Sequence, residues 1–256
     1  MNRKPLIVRT AAVTFVAITA LAACSSDDTT SDGAADTTLT VLAASSLTDA
    51  FPEIGDAFAD QHDGVEVKFS FAGSQELVAQ AGSGAPADVL ALAGASSLEV
   101  LEQAASDAVD FAKNRLTIIV PEGNPADVQS IDDLADPDVK VALAAPEVPA
   151  GGYALEVFKN ADITVTPVSE ESEVKAVVTR VAVGGADAGV VYVTDATASE
   201  ADVEEIPIPD AVNVIATYPA VSLVDSENAE VADDFVQFLL SDQAQQILND
   251  YGFESP

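Results

Sequence analysis

From Leu39 onward the chain repeats one arrangement: a short apolar run, then a stretch whose apolar residues return every third or fourth position. "LTVLAA" (39–44) precedes an amphipathic stretch over about 47–61, and "VEVKFSFA" (65–72) precedes another that begins near Gln75. Strand alternating with helix defines an α/β class with helices covering the sheet. Further strands are predicted at 88–93, 115–121, 140–146, 188–193 and 218–224, with helices over 96–105, 131–135, 152–160, 171–184, 195–199 and 229–250. The last of these carries Val231, Phe235, Phe238, Leu239 and Ile247 at helical spacing, and Glu230, Asp233 and Asp234 suit its N-terminal end. No solenoid period or heptad interrupts the pattern, so one bilobed body is expected.

The first 38 residues stand outside that pattern. Arg3, Lys4 and Arg9 surround an uncharged apolar run from Ala11 to Ala23, which reads as a secretory signal over 1–23, too short to span a bilayer comfortably. It ends in "LAAC", whose Cys24 is the only thiol of the chain. Small residues before such a cysteine resemble a bacterial lipobox, with Cys24 as the lipidated residue. Residues 25–38, small, polar and acidic, cannot bury enough surface to offset the entropy of ordering, so 24–38 reads as a lipidated cysteine with a flexible tether. One acyl chain anchors only reversibly, so a stable membrane attachment needs more than one.

Charge and composition narrow the function. The 256 residues carry a net charge of −33, and loss of the signal would leave seven basic residues against 43 acidic ones. A polyanionic nucleic acid is excluded as a partner on that ground. With a single cysteine, no internal disulfide staples the fold. Nucleophilic catalysis needs a base beside a serine or cysteine, yet the only histidine, His62, lies in the turn-like "DQHDG" and reads as a solvated surface residue. No second histidine, calcium-loop spacing or Walker-type glycine loop is present. The residue types point away from an enzyme, from a resident cofactor and from direct metal ligation.

What remains is a set of strand-to-helix junctions bearing hydroxyls or open amides: Ser46 in "AASSL", Ser74 in "FAGSQEL", and Ala150 with Gly151 in "PEVPAGGYA". A helix start offers unsatisfied N–H groups and a partial positive charge, so several aimed at one point bind an anion without lysine or arginine. Each serine taken singly also fits an ordinary N-cap.

The order of "LTVLAASSLTDAF", "FSFAGSQELVAQAGSGAPADVLALA", "NRLTIIVP", "APEVPAGGYALE", "EVKAVVTRVAVGGADAGVVYVTDA", "YPAVSLV" and "FVQFLLSDQAQQILNDYGF" resembles the molybdate-binding proteins of bacterial ABC importers, over about 39–253. The resemblance implies a two-lobed periplasmic-binding-protein fold of type II, with mixed sheets flanked by helices and a ligand cleft between lobe 1 (39–118 with 216–256) and lobe 2 (119–215). Carried over position by position, the ligand contacts fall on Ser46 and Ser74 from lobe 1 and on Ala150, Val174 and Tyr192 from lobe 2, all as hydrogen-bond donors. Ala150 and Val174 would act through backbone N–H groups. The chain departs from the family at Ser45, where alanine is usual, which leaves open whether Ser45 adds a donor or caps. The implied ligand is molybdate, with tungstate as a competitor. The implied partners are an ABC permease and ATPase, the membrane through a lipid anchor, and no second copy, the protein being a monomer. Segments near 115–121 and 213–219 would serve as hinges. Two other readings remain at this stage: a binding protein for another oxyanion such as sulfate, and a structural surface lipoprotein.

Overall fold

The computed structural model describes residues 37–94 and 106–256. The signal, Cys24, the tether as far as residue 36 and the helix predicted over 96–105 lie outside the described residues.

Nine strands and seven α-helices follow one another as β1 (Thr37–Ala44), α1 (Phe51–Ala59), β2 (Val65–Ala72), α2 (Ser74–Gly82), β3 (Val89–Ala91), β4 (Val109–Pro121), β5 (Val141–Ala144), α3 (Pro149–Asn160), β6 (Ser169–Glu171), α4 (Val174–Ala182), β7 (Ala188–Tyr192), α5 (Val193–Ala198), β8 (Val203–Pro207), β9 (Ile215–Ser222), α6 (Ala229–Phe238) and α7 (Asp242–Asp250) among the described residues. The strands hydrogen-bond in the order β2-β1-β3-β9-β4-β7-β5-β6, with β8 also on β4. Pairings of β1 with β2 and β3, and of β5 with β6 and β7, are parallel; those made by β9 and β4 are antiparallel.

Apolar runs without alternation are what a strand covered on both faces requires. In β1 and β3, Leu39, Val41, Ala43, Val89 and Ala91 face the cluster that contains Phe51, Phe58 and Phe235 of α1 and α6, while Leu42 and Leu90 face Leu77, Val78 and Ala81 of α2. The phenyl rings interlock edge to face, with Phe58 and Phe235 centroids 5.1 Å apart. Burying one such side chain contributes about 1.5–3 kcal/mol, and the ring geometry adds to it. On the other side of β4, α3 and α4 cover β5 and β7 with smaller side chains, among them Val157, Val177 and Val181.

β4 joins the two regions. Its first part, to Arg115, pairs with β9; its second, from Leu116, pairs with β7 and β8. The strand opposite is interrupted by residues 208–214, and Asn213 fills the gap by accepting from the Leu116 N–H at 3.3 Å and donating to the Leu116 carbonyl at 2.8 Å. Arg115, at the change of partner, binds Asp210 at 3.0 Å and Glu254 at 2.6 Å.

Several elements differ from the sequence expectation. The helix predicted over 229–250 is two helices, because Ser241 caps α7 by accepting from the Ala244 N–H at 3.2 Å. The break brings α7 against α1, where Gln61 donates to Gln243 at 2.9 Å. The helix predicted from 47 starts at Phe51, with Pro52 in its first turn and a 3-10 turn at Ser45–Leu47 before it. The stretch 131–135 is 3-10 rather than α. β1 starts at Thr37, inside the expected tether, since Thr37 pairs with Val65. Three strands had no expectation in full: β6 is only "SEE", β8 is acidic "VEEIP", and the first part of β4 is broken by a bulge between Asp110 and Ala112. His62 is half-buried rather than solvated, stacked on Phe58 at 3.9 Å and hydrogen-bonded through Nδ1 to the Phe58 carbonyl.

Candidate functional site

Ser46, Ser74, Ala150, Val174 and Tyr192 all line one small pocket, together with Ala44, Ser45, Gly73, Ala93, Val148 and Pro149. They arrive there by one rule. The 3-10 turn after β1 carries Ser46, α2 after β2 carries Ser74, α3 after β5 carries Ala150, α4 after β6 carries Val174, and Tyr192 ends β7. Carboxyl ends of parallel strands are where α/β folds gather their ligands, and here five such ends converge. No charged side chain among the described residues lines the pocket. Roomier hollows differ in chemistry: the groove along α4 is lined by Glu171, Glu173, Lys175 and Arg180 among others.

Three helices point uncapped starts at this space. α2, α3 and α4 have no side-chain hydrogen bond at their N-caps, which are Gly73, Val148 and Glu173. Their first N–H groups are therefore left for another acceptor. The close seating of α3 demands glycine at position 151, where a Cβ would lie 2.2 Å from the Ala145 carbonyl oxygen and 2.3 Å from that of Ala144.

The hydroxyls are not helix caps. Ser74 is the first residue of α2, and its Oγ accepts from the Ala93 N–H at 3.0 Å, which leaves the Ser74 proton to donate elsewhere. Ser46 Oγ lies 2.9 Å from the Tyr218 hydroxyl, which in turn receives Asn114 Nδ2 at 3.4 Å; the same amide nitrogen donates to Thr194 Oγ1 at 2.9 Å. An amide NH2 can only donate. The Tyr218 oxygen therefore accepts from Asn114; between Tyr218 and Ser46 either hydroxyl can donate, and with Tyr218 as donor the Ser46 proton is freed toward the pocket. Asn114 and Tyr218 sit in "NRLTIIVP" and "YPAVSLV", stretches with an obvious strand pattern and no sign in the sequence of a polar role. They were missed for that reason.

Tyr192 is 1% exposed, and its hydroxyl has no hydrogen-bond partner among the described residues. Burial, reinforced by Tyr218, Tyr153 and Asp195, pushes its ionisation well above the usual phenol range, so it stays a donor. A buried hydroxyl without a partner costs about 1–3 kcal/mol. The pocket it lines is the place where that cost can be recovered. Ser45 also lines the pocket and is buried; its carbonyl accepts from the N–H and Oγ1 of Thr48.

Beside Tyr192, Asp195 is fully buried, accepts from the Tyr192 N–H at 3.3 Å and lies 3.6 Å from Lys175 Nζ. Burial raises its carboxyl to about 6, against the opposing pull of Lys175 and of the Tyr192 N–H.

Two regions of sheet joined through β4, with helix starts and hydroxyls gathered between them, define the two-lobed binding proteins that hold a small solute in a cleft. The chain belongs to the bacterial extracellular solute-binding protein family, whose sequence profile matches residues 39–254. It is 35% identical over 254 residues to the molybdate-binding protein ModA of Mycobacterium tuberculosis, covering 96% of this chain and 97% of that one. Its fold is similar to the periplasmic molybdate-binding protein of Azotobacter vinelandii, with a TM-score of 0.74 at 21% identity over 85% of this chain and 99% of the other. It is similar to the same degree to the sulfate-binding protein SubI of M. tuberculosis, with a TM-score of 0.74 at 20% identity over 86% and 87% of the two chains.

Proposed function

We propose that this protein captures molybdate outside the cytoplasm and delivers it to an ABC importer. The observation that carries the reading is a pocket furnished with donors and, among the described residues, free of charged side chains, into which a buried hydroxyl with no partner among those residues, Tyr192, and three uncapped helix starts converge. Ser46, Ser74 and Tyr192 would give hydroxyl donors, and Ala150 and Val174 backbone N–H groups. A fully deprotonated tetrahedral dianion needs donors only. Each charge-assisted hydrogen bond contributes about 1.5–3 kcal/mol, so about five reach the −8 kcal/mol of a micromolar dissociation constant after association costs.

Selectivity follows from the same list. Hydrogen phosphate carries a proton that would meet a donor and find no acceptor. Sulfate has shorter bonds and would meet donors spaced for a larger ion poorly; tungstate, nearly the size of molybdate, would compete. Sulfate remains the second reading, on the similarity to a sulfate-binding fold.

Closure would turn on the strands crossing between lobe 1 and lobe 2, and the change of β-partners at Arg115 and Leu116 supports a pivot there. Lipidation at Cys24 would hold the receptor at the membrane as a monomer beside its permease and ATPase; no helix among the described residues is long and apolar enough to cross a bilayer. Calorimetric titration of the purified protein with molybdate, tungstate, sulfate and phosphate tests the reading. Micromolar or tighter binding of the first two, with little heat from the others, is expected. Sulfate binding as tightly as molybdate would reassign the cargo, and no heat from any of the four would remove the receptor reading.

A further inference from the structure

Lys175 follows Val174 at the start of α4, with its side chain 24% exposed. Its ammonium is paired with Asp49, in the turn that leads into α1, and lies 3.6 Å from Asp195 Oδ1 in α5. The residue thus ties the β1–α1 region to the α4–α5 region directly beside a pocket both regions line. A second tie runs parallel to it, Gln75 Nε2 of α2 donating to the Ser172 carbonyl at 3.0 Å.

The charges around Lys175 give it a second task. Asp195 Oδ1 has no hydrogen bond among the described residues, so the ammonium is what faces that buried oxygen. Glu173, just before α4, is held above the usual carboxylate range by burial and by Glu76 of α2, with Lys175 opposing both. Asp195 accepts from the N–H of Tyr192, which lines the pocket, so a dianion entering it meets the field of a nearby carboxylate. Exposed charges are screened by salt, but a buried one such as Asp195 is screened far less. An unpaired buried carboxylate is also costly in itself, whereas a paired one is tolerated.

We propose that Lys175 is a positioning residue for anion capture: its clasp with Asp49 holds the pocket shut, and its charge cancels that of Asp195 beside Tyr192. This rests on the oxyanion reading of the pocket. It also explains how a site free of cations works within so acidic a protein, since the compensating charge sits one shell back, where it cannot compete with the hydroxyls for the ligand.

The test is molybdate calorimetry on the purified protein and on Lys175→Met, Lys175→Arg, Asp49→Asn and the Lys175→Met/Asp195→Asn pair, with the thermal midpoint of each ligand-free form. Lys175→Met is expected to raise Kd about ten-fold or more. Lys175→Arg should stay within about three-fold, Asp49→Asn should lose part of the affinity, and adding Asp195→Asn should restore much of what Lys175→Met removes. Restoration separates charge compensation from a packing role, which removing a second polar group could not repair. The proposal fails if Lys175→Met binds within about two-fold of the unaltered protein, or if the double variant binds no better than Lys175→Met. Failure of the unaltered protein to bind molybdate would instead remove the oxyanion reading, and the clasp's purpose with it.

Discussion

The hydroxyl of Tyr218 accepts from Asn114 and shares a hydrogen bond with Ser46, and removing it isolates what their relay contributes. In Tyr218→Phe, Ser46 loses this hydrogen-bond partner, while Asn114 keeps Thr194 as a partner. A lost buried hydrogen bond costs about 1–2 kcal/mol, so molybdate Kd should rise roughly ten-fold with circular dichroism unchanged; unaltered affinity would show that the relay does not orient Ser46. Asp195 gives a prediction in pH. Its carboxyl is raised from 3.8 to about 6 by burial, so the folded chain holds this proton more tightly than the unfolded one. The stability it contributes is complete below about pH 4 and is lost as pH rises toward about 6. Asp195→Asn stays neutral throughout, so its thermal midpoint relative to the unaltered protein should climb between pH 4 and 6 and then level off; parallel curves would contradict the assignment.

At the scale of elements, the strands buried on both faces were legible because "LTVLAA" and "AGVVY" are short, largely apolar runs without strict alternation, set between turn or helix signals. Those at exposed edges were not: β8 sets Glu204 and Glu205 side by side between Val203 and Ile206, a short run without the alternation that would set it apart from a loop. The division of the C-terminal helix was written in "SDQAQ", where Ser241 and Asp242 form a capping start, but the apolar spacing ran on across it and hid the break. Helix starts were legible as places and not as directions. That α2, α3 and α4 aim at one point depends on the twist of the sheet and the side on which each helix packs, which no local pattern encodes.

For the whole molecule, closeness between the two regions is set where Gly73 meets Ser172. A Cβ at position 73 would stand 2.7 Å from the Ser172 carbonyl oxygen, and a backbone atom cannot yield as a flexible side chain does. Gly73→Ala should therefore hold the regions apart, raising molybdate Kd about ten-fold or more, since binding is charged for any closure the ligand must force. Small-angle scattering should show a smaller contraction on adding ligand than in the unaltered protein, and an equal contraction would argue against a role in closure.

The sequence by itself determined the α/β alternation, the covered strands and the poverty of catalytic residues, which are properties of residue type and spacing along the chain; its likeness to a family named five residues that the structure brings to one pocket. The tertiary structure alone decided that five strand ends meet, that Tyr218 reaches both Asn114 and Ser46, and that Lys175 reaches both Asp49 and Asp195. Those contacts join residues up to 172 positions apart, and a hydrogen bond or ion pair at that separation exists only once packing has brought its ends within a few ångströms.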